Sequence, residues 1–258
     1  MTINEVPLSW LPLADAKVLV RFLNEEIAAM VQRAPGRFIG LGAVPLQDVE
    51  SAIRELEYVV ATLRFAGVEI ASHVNGVSIG DVRFEPFFAA VVRLGAAVFV
   101  HALRPAGLER VVGAFPEQAV CFPGDIALAA ASMITGGIAA RQPELRIAFS
   151  HGGGGLSLLL PRLDRAWQAI PKAKESLAES PIAYARRFYY DALVFDPASV
   201  RFLASAYGAS QLVVGSDYPF AMGDPDPLGT LEKAGFEPEV LTAIVSGNAQ
   251  RFLGLGAI

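Results

Sequence analysis

Short apolar runs alternate with longer amphipathic ones along the chain. RFIGLGAVP (37–45), GVEIASHV (67–74), AAVFVHAL (96–103), RIAFSHGG (146–153), FYYDAL (188–193) and LVVGSDYP (212–219) are rich in β-branched or aromatic residues and end in polar residues or glycine. That pattern predicts short strands buried on both faces. Between them, ADAKVLVRFLNEEIAAMVQRA (14–34), DVESAIRELEYVVATLRFA (48–66), EPFFAAVVRLG (85–95), GDIALAAASMITGGIAARQPE (124–144), LSLLLPRLDRAWQAI (156–170) and DPASVRFLASAYGA (196–209) predict helices. EPEVLTAIVSGNAQRFLGL (237–255) reads as two short helices broken at Gly247 and Asn248. Strict strand–helix alternation means a parallel sheet with crossover helices. No repeat or composition break divides the chain, so one domain over residues 1–258 is expected. Six strands are clear, and TINEVPL (2–8) offers a seventh. A closed barrel needs eight strands, an open doubly wound sheet no fixed number, and the pattern alone leaves both open.

Composition narrows the class. Of 258 residues, 53% are hydrophobic and 18% charged, which suits a deeply buried sheet and an apolar interface between copies. No apolar run looks long and charge-free enough to span a bilayer, which takes about 18 residues; Arg64, Glu69 and Arg93 interrupt the best candidates. The N-terminus lacks a basic region and carries Glu5 and Asp15, unlike a signal peptide. A net charge of −5 argues against nucleic acid as a partner. Cys121 is alone, which excludes an intrachain disulfide and reads as a small buried hydrophobe in a reducing cytoplasm.

In parallel α/β folds the chemistry lies at the C-terminal ends of the strands. Those ends carry His73, His101, His151, Asp191 and Asp217, which include all three histidines of the chain. Two imidazoles and a carboxylate from different strands suit zinc or a similar divalent ion. His101 would supply a neutral nitrogen, Asp217 an oxygen or a base, and His151 a ligand or a proton carrier. No two of them share a tight motif, so spacing leaves the reading as structural histidines open.

Two rival readings are weaker. HGGG beside the elbow-like GVSIG (76–80), with Ser78 as nucleophile, would make an esterase. The oxyanion loop must precede the elbow, yet here it follows, and Ser78 leads into IGDVRFEP, which reads as loop. The glycine run lacks both the Lys-Ser/Thr of a phosphate loop and the G-x-G-x-x-G spacing. Four glycines more simply let the chain turn freely and keep Cβ atoms out of a cavity.

RFIGLGAVPLQ, GVEIASHVNG, VFVHA, FSHGGG, FYYDALVFDP, VVGSDYPF and GNAQRFLGL, in this order and spacing, resemble the amidohydrolase superfamily, in the branch of the aminocarboxymuconate-semialdehyde decarboxylases. The resemblance runs from about Val6 to the C-terminus and implies a metal-dependent (β/α)8 TIM barrel. It implies His101 and Asp217 as metal ligands on the fifth and eighth strands. It implies His151 as the sixth-strand histidine that, with Asp217, handles protons. The family opens on a first strand bearing His-x-His, and no such pair exists in this sequence. The barrel is therefore expected to be incomplete at the N-terminus, its gap left by a late start or a truncation, or closed by dimerisation or a rearranged sheet. HALRP replaces the family's usual proline after the histidine. Arg162 persists, but Ile170 stands where some decarboxylases carry arginine. Arg104 could substitute as the anion anchor, His73 and Asn75 could touch substrate at the rim, Asp191 could orient a neighbour, and Trp167 reads as helix packing.

The expectation is a cytoplasmic, metal-dependent decarboxylase (carboxy-lyase), a homodimer acting on a small aromatic or muconate-like carboxylic acid without nucleic acid or membrane partners. The alternatives are a lactonase-like metal-dependent hydrolase on the same barrel and a truncated, inactive remnant.

Overall fold

The computed structural model describes residues 8–105 and 107–255. Most of the strand expected over 2–8 lies outside the described residues, and Leu8 opens a one-turn 3-10 helix, Leu8–Trp10. The strands are β1 (Leu41–Gly42), β2 (Gly67–Ala71), β3 (His73–Val74), β4 (Val77–Ser78), β5 (Ala97–His101), β6 (Arg146–Phe149), β7 (Tyr189–Asp191) and β8 (Leu212–Val213). Six of them form one parallel sheet in the order β1-β2-β5-β6-β7-β8. Among the described residues β1 and β8 do not pair with each other, so the sheet has a seam there. The remaining two, β3 and β4, make a small antiparallel hairpin. The run 67–74 is thus two strands. It breaks at buried Ser72, whose hydroxyl hydrogen-bonds the Asp125 carboxylate while its N–H donates to the His101 carbonyl.

Helix α1 (Leu13–Arg33) precedes β1, and α2 (Val49–Ala61), α3 (Glu85–Arg93), α4 (Glu117–Thr135), α5 (Ile138–Arg141) and α6 (Leu156–Ala169) lie in the first crossovers. The short helices α7 (Pro171–Ser176) and α8 (Pro181–Ala185), then α9 (Pro197–Tyr207), α10 (Pro227–Lys233), α11 (Pro238–Thr242) and α12 (Asn248–Leu253), complete the chain. Carboxylate caps start several of them: Asp48 accepts from Ser51 N–H, Asp196 from Ser199 N–H and Asp226 from Gly229 N–H. Helix α1 buries Ala16, Val20, Asn24, Ile27 and Ala28 along one stripe. Asn24 is fully buried and exchanges both amide hydrogen bonds with the Ala43 backbone, as a strand would, while its Nδ2 also reaches Glu55. Arg21 closes that network on Glu55 at 2.7 Å, which fixes α1 and α2 beside the end of β1.

Four expectations change. Helix α4 starts at Glu117 rather than Gly124 and carries Pro123 inside it, with residues 117–120 exposed; proline deletes only one helical hydrogen bond. The longer helix, at 19 residues, has the length and apolarity to cross a membrane, contrary to the sequence reading. Its Ile126, Ala127, Ala129, Ala130, Met133 and Ile134 are packed into the core. The break at Gly247–Asn248 is instead a continuous helical path through a π turn, Ala243–Gly247, with Gly247 and Asn248 both in right-handed helical conformation. Cys121 is half-buried on α4 rather than a core residue.

The two faces of the sheet do different work. Val68, Ile70, Val98, Val100, Ile147 and Phe149 belong to the main core. Alternate residues point the other way: Ala97, Phe99, Ala148 and Tyr189 form a second cluster plugged by Phe252 and Leu253 from α12. Two residues further along the same face lie Ala71 on β2, His101 on β5, Ser150 after β6 and Asp191 on β7. The polar groups therefore rise at the C-terminal ends, above an apolar plug.

Candidate active site

His101 Nε2, the ring nitrogen region of His151 and the Asp217 carboxylate each place a ligand-type atom within 4.8 Å of one another. His101 ends β5 and Asp217 follows β8, three strand spacings away, or roughly 14 Å in a flat sheet. Their approach requires the sheet to curl about its inner face, as in a barrel. His101 is held first. Its Nδ1 lies 2.9 Å from the Ala102 carbonyl oxygen. A carbonyl only accepts, so Nδ1 carries the hydrogen and Nε2 presents its lone pair. Nε2 is buried without a hydrogen-bond partner and faces Asp217 Oδ1 at 3.9 Å.

His151 crosses His101 edge to face, with ring centroids 4.9 Å apart at 83°, and stacks over Phe122 at 6.4 Å and 17°. Burial pulls both imidazoles down to about 4, with the neighbouring His151 adding to the effect at His101. Both are therefore neutral donors at pH 7. Asp217 is pushed upward by burial and by the charge of Asp191. Asp191 is itself raised to about 6 by burial, against hydrogen bonds from the Gly152 and Leu193 N–H groups at 2.9 and 3.1 Å. It thus orients the loop that carries His151.

The glycines of that loop are not free to turn. Gly152, Gly153 and Gly154 all have positive φ, and a Cβ on them would meet Leu203 at 2.6 Å, the Tyr190 ring at 2.7 Å and the Pro123 carbonyl at 1.8 Å. The run lets the loop pack tightly against three elements, which pins His151. Non-glycine residues in the left-handed region, among the described residues, are Arg64, Asn75, Arg104, His151, Phe195 and Asp217. Arg104, His151, Phe195 and Asp217 all line the same cavity, consistent with backbone strain gathering at functional sites.

That cavity has a volume of about 830 Å³. His101, His151 and Asp217 form its floor, Phe122, Leu193, Phe195, Phe220 and Met222 its apolar wall, and Arg104 and Glu117 its charged rim. A smaller cavity of about 70 Å³ reaches His101 from the β1–β2 side and is lined by Gln47, Glu69 and His73. Glu69 was not singled out as functional, although a charge inside a strand buried on both faces was the signal for it. Its stem is partly accessible but both carboxylate oxygens are sealed without a partner, and burial, with the Asp217 charge, raises it to about 8.

The structure does not bring every expected residue to the cavities. Arg162 is exposed on α6 and Asn75 is exposed in the β3–β4 hairpin, and neither lines either cavity. A side chain on the outer face of a crossover helix points away from the barrel mouth. Both ring nitrogens of His73 are taken by backbone groups, Gly76 N–H and Arg104 C=O. Ser78 sits opposite His73 in the hairpin register rather than in a turn. Trp167 packs as expected at the core's edge, donating to the Leu177 carbonyl.

The donor set tests a metal directly. Two neutral imidazoles and a carboxylate, with a buried Nε2 lone pair lacking any partner, fit a divalent cation.

Comparison with known proteins places this geometry. The family model described as amidohydrolase matches residues 11–255. The chain is 36% identical over 248 residues to 2-amino-3-carboxymuconate-6-semialdehyde decarboxylase of Dictyostelium discoideum, covering 95% of this chain and 69% of that protein. It superposes on the crystal structure of 5-carboxyvanillate decarboxylase from Sphingomonas paucimobilis with a TM-score of 0.88 and 27% identity, covering 97% of this chain and 76% of the other. It shares its fold with a dihydroxybenzoic acid decarboxylase from Polaromonas, solved with bound manganese and 2-nitroresorcinol, at a TM-score of 0.83 and 23% identity, over 100% of this chain and 79% of that one. The curled parallel sheet, six strands among the described residues, is thus of the (β/α)8-barrel type of the metal-dependent hydrolases, open at the seam between β1 and β8, and the chain belongs to the amidohydrolase family.

Proposed function

We propose that the protein is a metal-dependent decarboxylase of a small aromatic carboxylic acid. One observation carries this: two neutral imidazoles and a carboxylate converge on the floor of a cavity walled by phenylalanines and carrying an arginine at its rim. The decarboxylase names of the relatives support the reaction class, and the aromatic acids in the names of the two solved structures support the substrate class. Manganese in the Polaromonas enzyme makes it a candidate beside zinc.

His101 and Asp217 would hold the ion, with His151 beside it. A divalent cation there supplies positive charge that polarises an oxygen of the acid and stabilises negative charge as it develops. The rest is done by the chain. Phe122, Phe195 and Phe220 exclude water and fit a planar ring. Arg104 offers a planar fork to a carboxylate. Decarboxylation breaks the ring-carbon to carboxyl-carbon bond, leaves the electron pair on the ring carbon, and needs one proton at that carbon as CO2 leaves. His151 is placed to carry that proton. Burial keeps the ring neutral at pH 7, so the proton it delivers is first taken up from solvent, and the imidazolium so formed is a strong acid toward carbon.

The test is CO2 release from hydroxybenzoates and aminocarboxymuconate-type acids by protein loaded with manganese or zinc. Release that falls on His151→Asn supports the assignment. Lactone hydrolysis without CO2 release would replace it with a hydrolase on the same site, and neither reaction with either metal would sink it. A homodimer is proposed on the apolar composition and the seam between β1 and β8, and sedimentation of the purified chain checks it.

A further inference from the structure

We propose that the β3–β4 hairpin is a latch that sets the position of Arg104, so that His73 and Asn75 govern anion binding without touching the substrate. The inference rests on the reading of Arg104 as the carboxylate anchor.

The latch begins with a turn. Asn75 and Gly76 both have positive φ, at 50° and 81°. They join strands paired His73 to Ser78 and Val74 to Val77. Two left-handed residues with the order Asn-Gly are the tight turn that matches strand twist. The hairpin is therefore a stiff object.

Two side chains on it reach in different directions. His73 Nδ1 accepts from the Gly76 N–H at 3.1 Å, and its Nε2 stands 3.0 Å from the Arg104 carbonyl oxygen. An amide N–H only donates and a carbonyl only accepts, so the ring is neutral with its hydrogen on Nε2. No nitrogen is left over for a substrate. The group it holds is unusual: Arg104 is a non-glycine residue at φ 51°. A free loop would relax from that conformation, and the hydrogen bond from His73 opposes the relaxation. Asn75 Nδ2 donates to the Ser9 carbonyl at 3.0 Å, and Gln47 Nε2 donates to the Leu8 carbonyl at 2.8 Å. These fix the 3-10 turn that carries Trp10. The Arg104 guanidinium then lies 4.2 Å over the Trp10 ring. Stacking holds the plane and leaves its N–H edges for an anion.

One hairpin thus grips both the backbone of the arginine and the turn bearing the ring it stacks on. Among the described residues, Arg104 is the one lysine or arginine lining the 830 Å³ cavity, against Glu117 and Asp217 on the acidic side. Its placement decides whether a carboxylate meets a cation or an acid there. His73 and Asn75 are positioning residues in this scheme.

Calorimetric titration of the manganese-loaded chain with salicylate and with its neutral isostere salicylamide tests the latch, because affinity is read without turnover. His73→Phe removes the donor and should weaken salicylate by up to about tenfold, the upper size of one hydrogen bond to a neutral carbonyl, while salicylamide changes less than about twofold. His73→Gln can still donate to the Arg104 carbonyl and should recover most of the salicylate affinity. In a Trp167→Phe background Trp10 is the sole tryptophan, and its emission should shift in His73→Phe but not in His73→Gln. Unchanged salicylate affinity in His73→Phe, or equal loss for both ligands, overturns the latch. Arg104→Ala separates the two ideas. Full salicylate affinity there removes the anchor reading itself, whereas loss there with none in His73→Phe leaves the anchor standing without the latch.

Discussion

His101 Nε2 and Asp217 Oδ1 face each other across 3.9 Å, too far for a hydrogen bond. With the His101 hydrogen held on Nδ1 by the Ala102 carbonyl, Nε2 and the carboxylate oxygen are both acceptors, so nothing closes the gap between them until a proton or a cation enters it. A buried lone pair beside an acid is costly until a cation meets both. His101→Ala is therefore expected to weaken manganese and zinc binding by on the order of 100-fold, at least the loss seen when an outer-sphere partner is removed. Competition with a chelating dye measures it, and unchanged affinity would remove His101 from the ligand set.

The same two histidines make the metal-free protein sensitive to acid. Their folded values near 4 lie below the ordinary 6.5. The unfolded chain therefore binds more protons between those values, and stability rises with pH across that window. It is fully present above about 6.5 and is lost as pH falls toward 4, by up to about 3 kcal/mol per imidazole from the 1.36 kcal/mol per unit conversion. Urea unfolding of chelator-treated protein between pH 4 and 7 reads this out. His151→Asn should flatten the slope, and an unchanged slope would place the burial cost elsewhere.

Glu69 has the opposite sign. Its carboxyl is raised from 4.5 to about 8, so the folded state holds a proton that the unfolded chain has released. Its contribution is present below about 4.5 and is lost as pH rises through 8. Glu69→Gln keeps the shape and removes the charge. It should raise the melting temperature of the metal-free chain at pH 8 to 9 by several degrees, on the scale of 2–4 °C per kcal/mol for chains of this size, and leave it nearly unchanged at pH 5. A variant less stable at both pH values would show that the carboxylate has a partner.

Much of this was readable before any coordinates. His101, His151 and Asp217 end apolar runs, and strand periodicity carries them to one face at one end of a parallel sheet. What periodicity cannot supply is direction in three dimensions. Arg162 and Arg104 look alike as arginines near motifs, yet one lies on the outside of α6 and the other in a loop over the cavity. The hairpin was hidden because GVEIASHV is unbroken as a β pattern, and only Ser72, through Asp125, ends it. The Asn-Gly pair after it was the available signal. Gly247 and Asn248 read as a helix break, but the helical path runs on through a π turn there, with buried Asn248 donating to the Ala209 and Leu212 carbonyls.

The glycine run shows the same limit most sharply, because its composition suggests freedom and its packing denies it. At Gly154 a Cβ would stand 1.8 Å from the Pro123 carbonyl, a backbone atom of α4 that cannot swing aside. Its φ of 59° adds strain for any residue with a Cβ. Gly154→Ala should therefore push the loop off α4, cost about 2–4 kcal/mol of stability, and move His151 away from Phe122 and His101. Gly155→Ala is the control: its added Cβ would meet only the Ala127 methyl at 3.9 Å, ordinary contact. Chemical denaturation of the two variants, with manganese affinity measured in parallel, should find Gly154→Ala impaired in both and Gly155→Ala close to the parent. Equal behaviour of the two would mean that the loop can shift without cost, and that His151 is held by Asp191 through Gly152 rather than by the glycine packing.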